Sequence, residues 1–442
     1  MQKIISTKLS FKLWLTIIIF GLFGQMAWII ENMYFPNFLQ TQITSDSTVS
    51  AIMVAAGAIV ATISTIWGGS ITDRLGKRKI FISIGYILWG IVIIFFSSFK
   101  SNPNGNELIA IVSIFIFLDC VMTFIGSWAN DACFNAWVTD ITDSTNRGKT
   151  DTVLAIMPVA SMLIVFGLLN ELTMNGNWKI FFLILGIVII SSGIIGIFLI
   201  KDSKYIVRAK GDYWQNVFYG FKKEIIIKHK NTYICFAGIA IIGTAIQVYQ
   251  AYLLTFIQET LKLNDYVILL GSVVVLSAIG SVIFGNMMDK YGKAKFFIPT
   301  VIMYVVGGVS AFFLKFTEGV LAKSLLLGFA ATLVMGASLI MTGLLISTSR
   351  DYTPLDKAGG FQGIRMVFHV LIPMIIGPFI GDAVIKAVNL TDPITGNQLY
   401  PCELFLVSAI VSLFTLIPIF YIKRNMKRDK PIAREEILEY IP

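Results

Sequence analysis

Charge is scarce in this chain. Only 14% of its 442 residues are Asp, Glu, Lys or Arg, against roughly a quarter in a soluble chain. With 56% hydrophobic residues and a mean hydropathy of +0.78, water is excluded as the solvent for most of its surface. Histidine is nearly absent: His229 and His369 are widely separated, and no Cys/His spacing or phosphate loop accompanies them. That argues against an enzyme built on a metal, a nucleophile or an acid–base cluster at a membrane surface. The four cysteines, Cys120, Cys133, Cys235 and Cys402, lack metal-type spacing, and three lie inside apolar runs as packing residues. No cleaved leader is expected, because Lys3, Lys8 and Lys12 precede an apolar run from Leu13 to about Leu39, too long for a signal h-region. No cofactor and no metal site is expected.

Long apolar runs are abundant. Segments of ~20 residues each suffice to span a bilayer, and they fall at 13–39, 49–69, 77–98, 108–138, 151–170 and 179–200. A second set falls at 232–257, 265–287, 296–314, 323–348, 360–388 and 403–422. Twelve spans place both termini on one side. The formal charge of +9 invites a nucleic-acid reading, but the cations are placed by topology. Of 35 Lys and Arg, only Lys100, Lys179, Lys262, Lys315, Lys323 and Lys386 fall on the side opposite the termini. The positive-inside rule then makes both termini cytoplasmic in a plasma-membrane protein, with the bilayer and a small solute as partners and no nucleic acid.

The chain is duplicated. Gly69-Ser70-Ile71-Thr72-Asp73-Arg74-Leu75-Gly76-Lys77-Arg78-Lys79 is echoed by Gly285-Asn286-Met287-Met288-Asp289-Lys290-Tyr291-Gly292-Lys293-Ala294-Lys295. Each reads Gly, three residues, Asp, a cation, one residue, Gly, then cations, and the two Asp are 216 positions apart. A second pair, Asp140 leading to Arg147-Gly148 and Asp351 leading to Gly359-Gly360, is 211 apart at its Asp residues. The expected units are an N-terminal six-helix half (1–200), a cytoplasmic linker (201–231), a C-terminal six-helix half (232–422) and a tail (423–442). The linker is read as partly a surface helix around Tyr213–Ile227.

These motifs resemble the major facilitator superfamily over essentially the whole length. The Asp73 and Asp289 stretches are similar to that family's loop between the second and third helices of each half. The Asp140–Gly148 segment is similar to its turn after the fourth helix. The resemblance implies an all-α integral membrane fold of twelve helices in two six-helix pseudo-repeats, working by alternating access as a monomer. It also implies that the first, fourth, seventh and tenth helices line the cavity, and that the repeated turn latches the cytoplasmic side. Asp73, Arg74 and Gly76, Asp289, Lys290 and Gly292, with Asp140 and Arg147, are therefore gate candidates. A carboxylate at that height can meet the positive end of a helix from the other half.

Polar residues inside the spans mark where solute or ion would bind. Glu31, with Trp28 and Asn32 beside it, lies about 13 Å in from Gln40. A carboxylate there costs several kcal/mol unless it is paired, protonated or hydrated, which suits proton or substrate binding; a structural hydrogen bond is the alternative. On the fourth segment, Asp119, Thr123, Asn130 and Trp137 form one stripe and Trp128, Asp131 and Asn135 a second. An indole beside carboxylates and amides suits sugars or organic cations; a buried polar network is the alternative. On the eleventh segment Gln362, Arg365 and His369 share a face, with snorkelling open to Arg365 and a proton relay open to His369. The seventh offers Gln247, Tyr249, Gln250 and Tyr252 as neutral hydrogen-bonding groups.

The leading expectation is a secondary transporter of a small polar organic solute, a sugar or glycoside, coupled to protons or another cation. Within the superfamily the first helix and the fourth-helix carboxylate resemble the glycoside–pentoside–hexuronide:cation symporters. Those place cation-binding carboxylates on the second helix, whereas residues 49–69 here contain no Asp or Glu. Proton coupling through Glu31 or Asp119 is accordingly favoured over sodium. Drug or metabolite efflux is the runner-up, weakened because Gly377-Pro378-Phe379-Ile380-Gly381 lies in the eleventh helix and not the fifth. A solute-sensing receptor is a third reading. Asn389-Leu390-Thr391 is a glycosylation sequon on an outer loop.

Overall fold

A computed structural model describes residues 9–99, 105–142, 147–202, 221–263, 266–353, 361, 364–393 and 396–426. Twelve helices among these are long and apolar enough to cross a membrane, with mean hydropathies of 1.6 to 2.8. They are α1 (Phe11–Ile43), α2 (Ser47–Gly69), α3 (Lys79–Ser98), α4 (Glu107–Ile141), α5 (Val153–Met174) and α6 (Trp178–Leu199). The second set is α7 (Lys230–Gln250), α8 (Tyr266–Met288), α9 (Lys293–Phe316), α10 (Val320–Asp351), α11 (Ile364–Val388) and α12 (Glu403–Met426). Helices are what a chain without water to solvate its backbone must form, since each N–H and C=O is then satisfied within its own segment. Side chains such as Ile63, Phe117, Ile268 and Leu325 remain exposed, the surface a lipid solvent accepts.

The chain divides into two compact units. The first comprises residues 1–44 and 59–213, the second residues 45–58 and 214–442. In the first, α3 and α6 approach until a Cβ on Gly90 would lie 2.6 Å from the Gly186 carbonyl, the small-residue contact typical of membrane helices. The α5 residue Ser161 ties to α1 by donating to the Leu22 carbonyl at 2.7 Å. In the second, α11 presses on α7 through Gly377, and α9 meets α12 where the Tyr304 and Ser408 hydroxyls lie 2.8 Å apart.

Several helices are not uniform. α1 widens to a π-turn at Ile30–Tyr34, α4 over Ser127–Phe134 and α11 at Val367–Leu371. A widened turn takes up an extra residue, so faces beyond it rotate by about 100° relative to an unbroken α-helix. These three stretches hold Glu31, Asp131 and His369. Most of the linker segment, 203–220, with the start of the surface helix expected around Tyr213–Ile227, lies outside the described residues; among those described, Lys223–Lys228 forms a short helix. Its start is anchored: Asp202 accepts from the N–H groups of Arg78 and Lys79 at 2.7 and 2.8 Å, neutralising the first turn of α3.

Candidate functional site

Two buried acids meet between α1 and α4. Glu31 is 8% exposed, and its Oε1 accepts a 2.8 Å hydrogen bond from the Thr123 hydroxyl. Its Oε2 is buried without a hydrogen-bond partner. Asp119, one turn before Thr123, is 2% exposed, and its Oδ1 likewise has no partner. Asp119 and Asp131 are the acidic groups whose fields reach Glu31. Among the described residues no Lys, Arg or His pairs with any of these three.

Asp131 is half-buried and better solvated by protein. It accepts from Asn130 Nδ2 at 3.2 Å and from the Trp28 indole N–H. Asn130 Oδ1 lies 2.9 Å from the Tyr86 hydroxyl, which also lies 2.9 Å from the Phe20 carbonyl. Only glycine fits at position 24, because a Cβ there would lie 2.5 Å from that hydroxyl and 2.6 Å from Asn130 Oδ1. Asn32 turns back on its own helix, donating to the Trp28 carbonyl at 2.7 Å. Trp137 donates to the Lys201 carbonyl at 3.0 Å and is a structural residue. Trp128 keeps other company: its ring stacks on Phe81 at 5.7 Å and packs against Trp67 and Phe124. Trp128 is therefore parted from Asp131 in the π stretch of α4, while Thr123 and Asn130 both still face α1.

The second unit carries the opposite charge. Arg365 is half-buried with its Nε lacking a partner, and His369, one turn on, is exposed. Gln362 lies outside the described residues. On α7, Tyr249 packs its ring on Phe405 at 5.1 Å, and Gln247 backs onto Gly377. Gln250 is half-buried.

A cluster missed in the sequence joins the start of α2 to the end of α11. Asp382 is 7% exposed and pairs with Lys386 Nζ at 3.0 Å. It accepts from the Ser47 hydroxyl at 2.5 Å and the Thr48 hydroxyl at 3.4 Å, and Lys386 also reaches Thr48. The Tyr252 hydroxyl, 3.0 Å from the Pro378 carbonyl and 3.3 Å from that of Ser47, completes it. The signal was an Asp and a Lys four apart in the otherwise apolar C-terminal part of α11, residues 370–388.

The repeated turns are built alike. Gly76 and Gly292 adopt φ of +65° and +88°, which is what lets the chain double back there. Arg78 pairs with Asp140 at 3.2 Å and donates to the Thr72 hydroxyl at 2.8 Å. In the second turn Lys293, one position after Gly292 where Arg78 stands two after Gly76, pairs with Asp351 at 2.6 Å. Each turn is thus tied to the end of the fourth helix of its own half. The side chains of Asp73, Arg74, Arg147 and Asp289 lie outside the described residues, and Lys290 lies 5.2 Å over the Tyr291 ring.

The family model of the Major Facilitator Superfamily matches residues 13–378. The chain belongs to that superfamily. It is a membrane transporter and not an enzyme. A comparison with curated protein sequences finds no match. Among solved structures, a variant of the nucleoside transporter NupG is similar at 13% identity and a TM-score of 0.72, covering 93% of this chain and 100% of that one. The xylose transporter XylE from E. coli aligns at 14% identity and 0.67, covering 93% and 97%. A bacterial homologue of the human lysosomal transporter Spinster aligns at 14% and 0.67, covering 95% and 97%. At such identities the likeness is one of fold.

Proposed function

We propose that this transporter is a proton-coupled symporter for a small polar organic solute, a sugar or glycoside in the first instance. The observation that carries the reading is the Glu31–Thr123–Asp119 cluster. Two carboxylates in apolar surroundings with no base cannot both remain charged. A proton supplies the missing charge balance, and a transported cation would do the same. Thr123 fixes one oxygen of Glu31 and leaves the other available, so protonation changes the charge without dismantling the site. Trp28 and the Asn130–Asp131 pair, beside this cluster, offer an aromatic face and polar groups to a hydroxylated ring. On the second unit taken by itself, Arg365, His369 and Gln250 are the candidate polar groups for solute.

The named solutes of two similar structures, a nucleoside and xylose, both contain a sugar ring, which supports that order of screening. The missing second-helix carboxylate separates this chain from the glycoside–pentoside–hexuronide:cation symporters and favours protons over sodium. A cation-exporting antiporter is the second reading, favoured by the same unpaired acids. The cation distribution supports a cell-membrane protein with both termini in the cytoplasm. Proteoliposome uptake of sugars, glycosides and nucleosides under an imposed pH or sodium gradient tests the proposal. Accumulation driven by the pH gradient supports it; accumulation driven by sodium alone, or none of any such solute, contradicts it.

A further inference from the structure

Apart from the carboxylate site, the first unit holds an apolar groove of about 290 Å³ between α3 and α4, lined by Ile80, Phe81, Ile84, Leu88, Phe124 and Trp128 among others. Ile80, Ile84 and Leu88 are 47%, 49% and 45% exposed, so the groove opens on the lipid-facing surface. From Ile80 to Leu88 it runs about 12 Å along α3 at 1.5 Å per residue. One leaflet of hydrocarbon is about 15 Å deep, half of the ~30 Å core.

One end of the groove is basic. Lys77-Arg78-Lys79 immediately precedes Ile80. Arg78 is committed to Asp140 and Thr72. Lys77 is exposed and Lys79 half-buried, and neither ammonium forms an ion pair among the described residues. Trp128 closes this end over Phe81, and a Cβ on Gly68 would lie 2.7 Å from its ring, so the indole is wedged in place. Its Nε1 is buried without a hydrogen-bond partner, an expense that apolar surroundings do not offset.

We propose that this groove is a binding site for an anionic phospholipid, with an acyl chain along α3 and α4 and the phosphate on Lys77 and Lys79. Neutral lipid would gain the apolar contact but not the charge complementarity. The site adjoins the turn that carries Gly76 and Arg78, so lipid occupancy stiffens that turn.

The test is fluorescence quenching of the full-length protein in detergent by phosphatidylglycerol or phosphatidylcholine with brominated acyl chains. Brominated phosphatidylglycerol is expected to quench saturably and at lower concentration than the phosphatidylcholine, and Trp128→Phe to remove the saturable component. Lys77→Gln with Lys79→Gln should raise the half-saturating concentration about twenty-five-fold, roughly fivefold for each lysine. Inorganic phosphate should not compete. Equal curves for the two lipids, or an unchanged curve in the lysine variant, would reduce the groove to ordinary lipid contact and overturn the proposal. Competition by inorganic phosphate would make it a free-anion site and overturn it equally. The lysine variant alters no buried side chain, so it decides the matter even if Trp128→Phe does not fold.

Discussion

In the first unit Glu31 and Asp119 are buried acids without a base. In the second, Asp382 is buried on Lys386, while Arg365 has an unpartnered Nε and forms no ion pair among the described residues. The two halves share a scaffold down to the Arg78–Asp140 and Lys293–Asp351 ties, yet they treat charge inside the membrane in opposite ways. Features that coincide in both halves, the positive-φ glycines and the turn-to-helix ion pairs, belong to the machine. On the proposed function, features found in one half only carry the specific work: the acids of the first unit would take a proton or a cation, and Arg365 an anionic or hydroxylated group.

The comparison can be broken most sharply at its acids. Glu31→Gln or Asp119→Asn should reduce pH-driven accumulation to the level of empty vesicles while leaving solute exchange measurable by counterflow. Full accumulation in both variants would remove the first unit from coupling. The bases come next. Arg365→Gln should raise the KM for solute by about tenfold, the loss of one charged hydrogen bond, with the dependence on the pH gradient unchanged; a loss of coupling instead would assign protons to the second unit.

The repeated ion pairs give a smaller, calibrated difference. The side chains of Arg78 and Asp140 are 5% and 22% exposed, those of Lys293 and Asp351 22% and 37%. Breaking the more buried pair with Arg78→Gln should cost about 3 kcal/mol, and Lys293→Gln at most about 1 kcal/mol, read as unequal falls in melting temperature in detergent. Equal falls would mean the turns are energetically interchangeable. Smallest is a labelling effect. Burial pushes the Cys402 thiol up to about 11, so the thiolate is absent at neutral pH and appears only as the pH rises toward that value. Cys402 should resist maleimide in the native protein and react after denaturation.

The architecture was legible because a bilayer imposes length and polarity on every span, and because duplication wrote the same turn twice. Thr72-Asp73 to Gly76 and Met288-Asp289 to Gly292 announced a reversal that the backbone angles show. Glu31 and Asp119 were legible too, since a lone acid among apolar residues has no cheap explanation. Partnership was not legible. Trp128 shared a three- and four-residue spacing with Asp131 and Asn135, but the π stretch turns it against Phe81 and Trp67. Asp382 went unnoticed because its partners are Ser47 and Thr48, more than 330 positions away. Arg78 and Lys293 read as topogenic cations in the sequence, and since they stand two and one positions after their glycines, no shared register marks them as the partners of Asp140 and Asp351.

The measurement that bears most directly on the central claim is solute-dependent proton entry into proteoliposomes, followed by an internal pH-sensitive dye once a transported sugar or glycoside is in hand. The wild-type protein should acidify the lumen when that solute is added outside. Glu31→Gln should not, while still exchanging labelled for unlabelled solute. Solute-driven acidification that persists in both Glu31→Gln and Asp119→Asn would contradict the account.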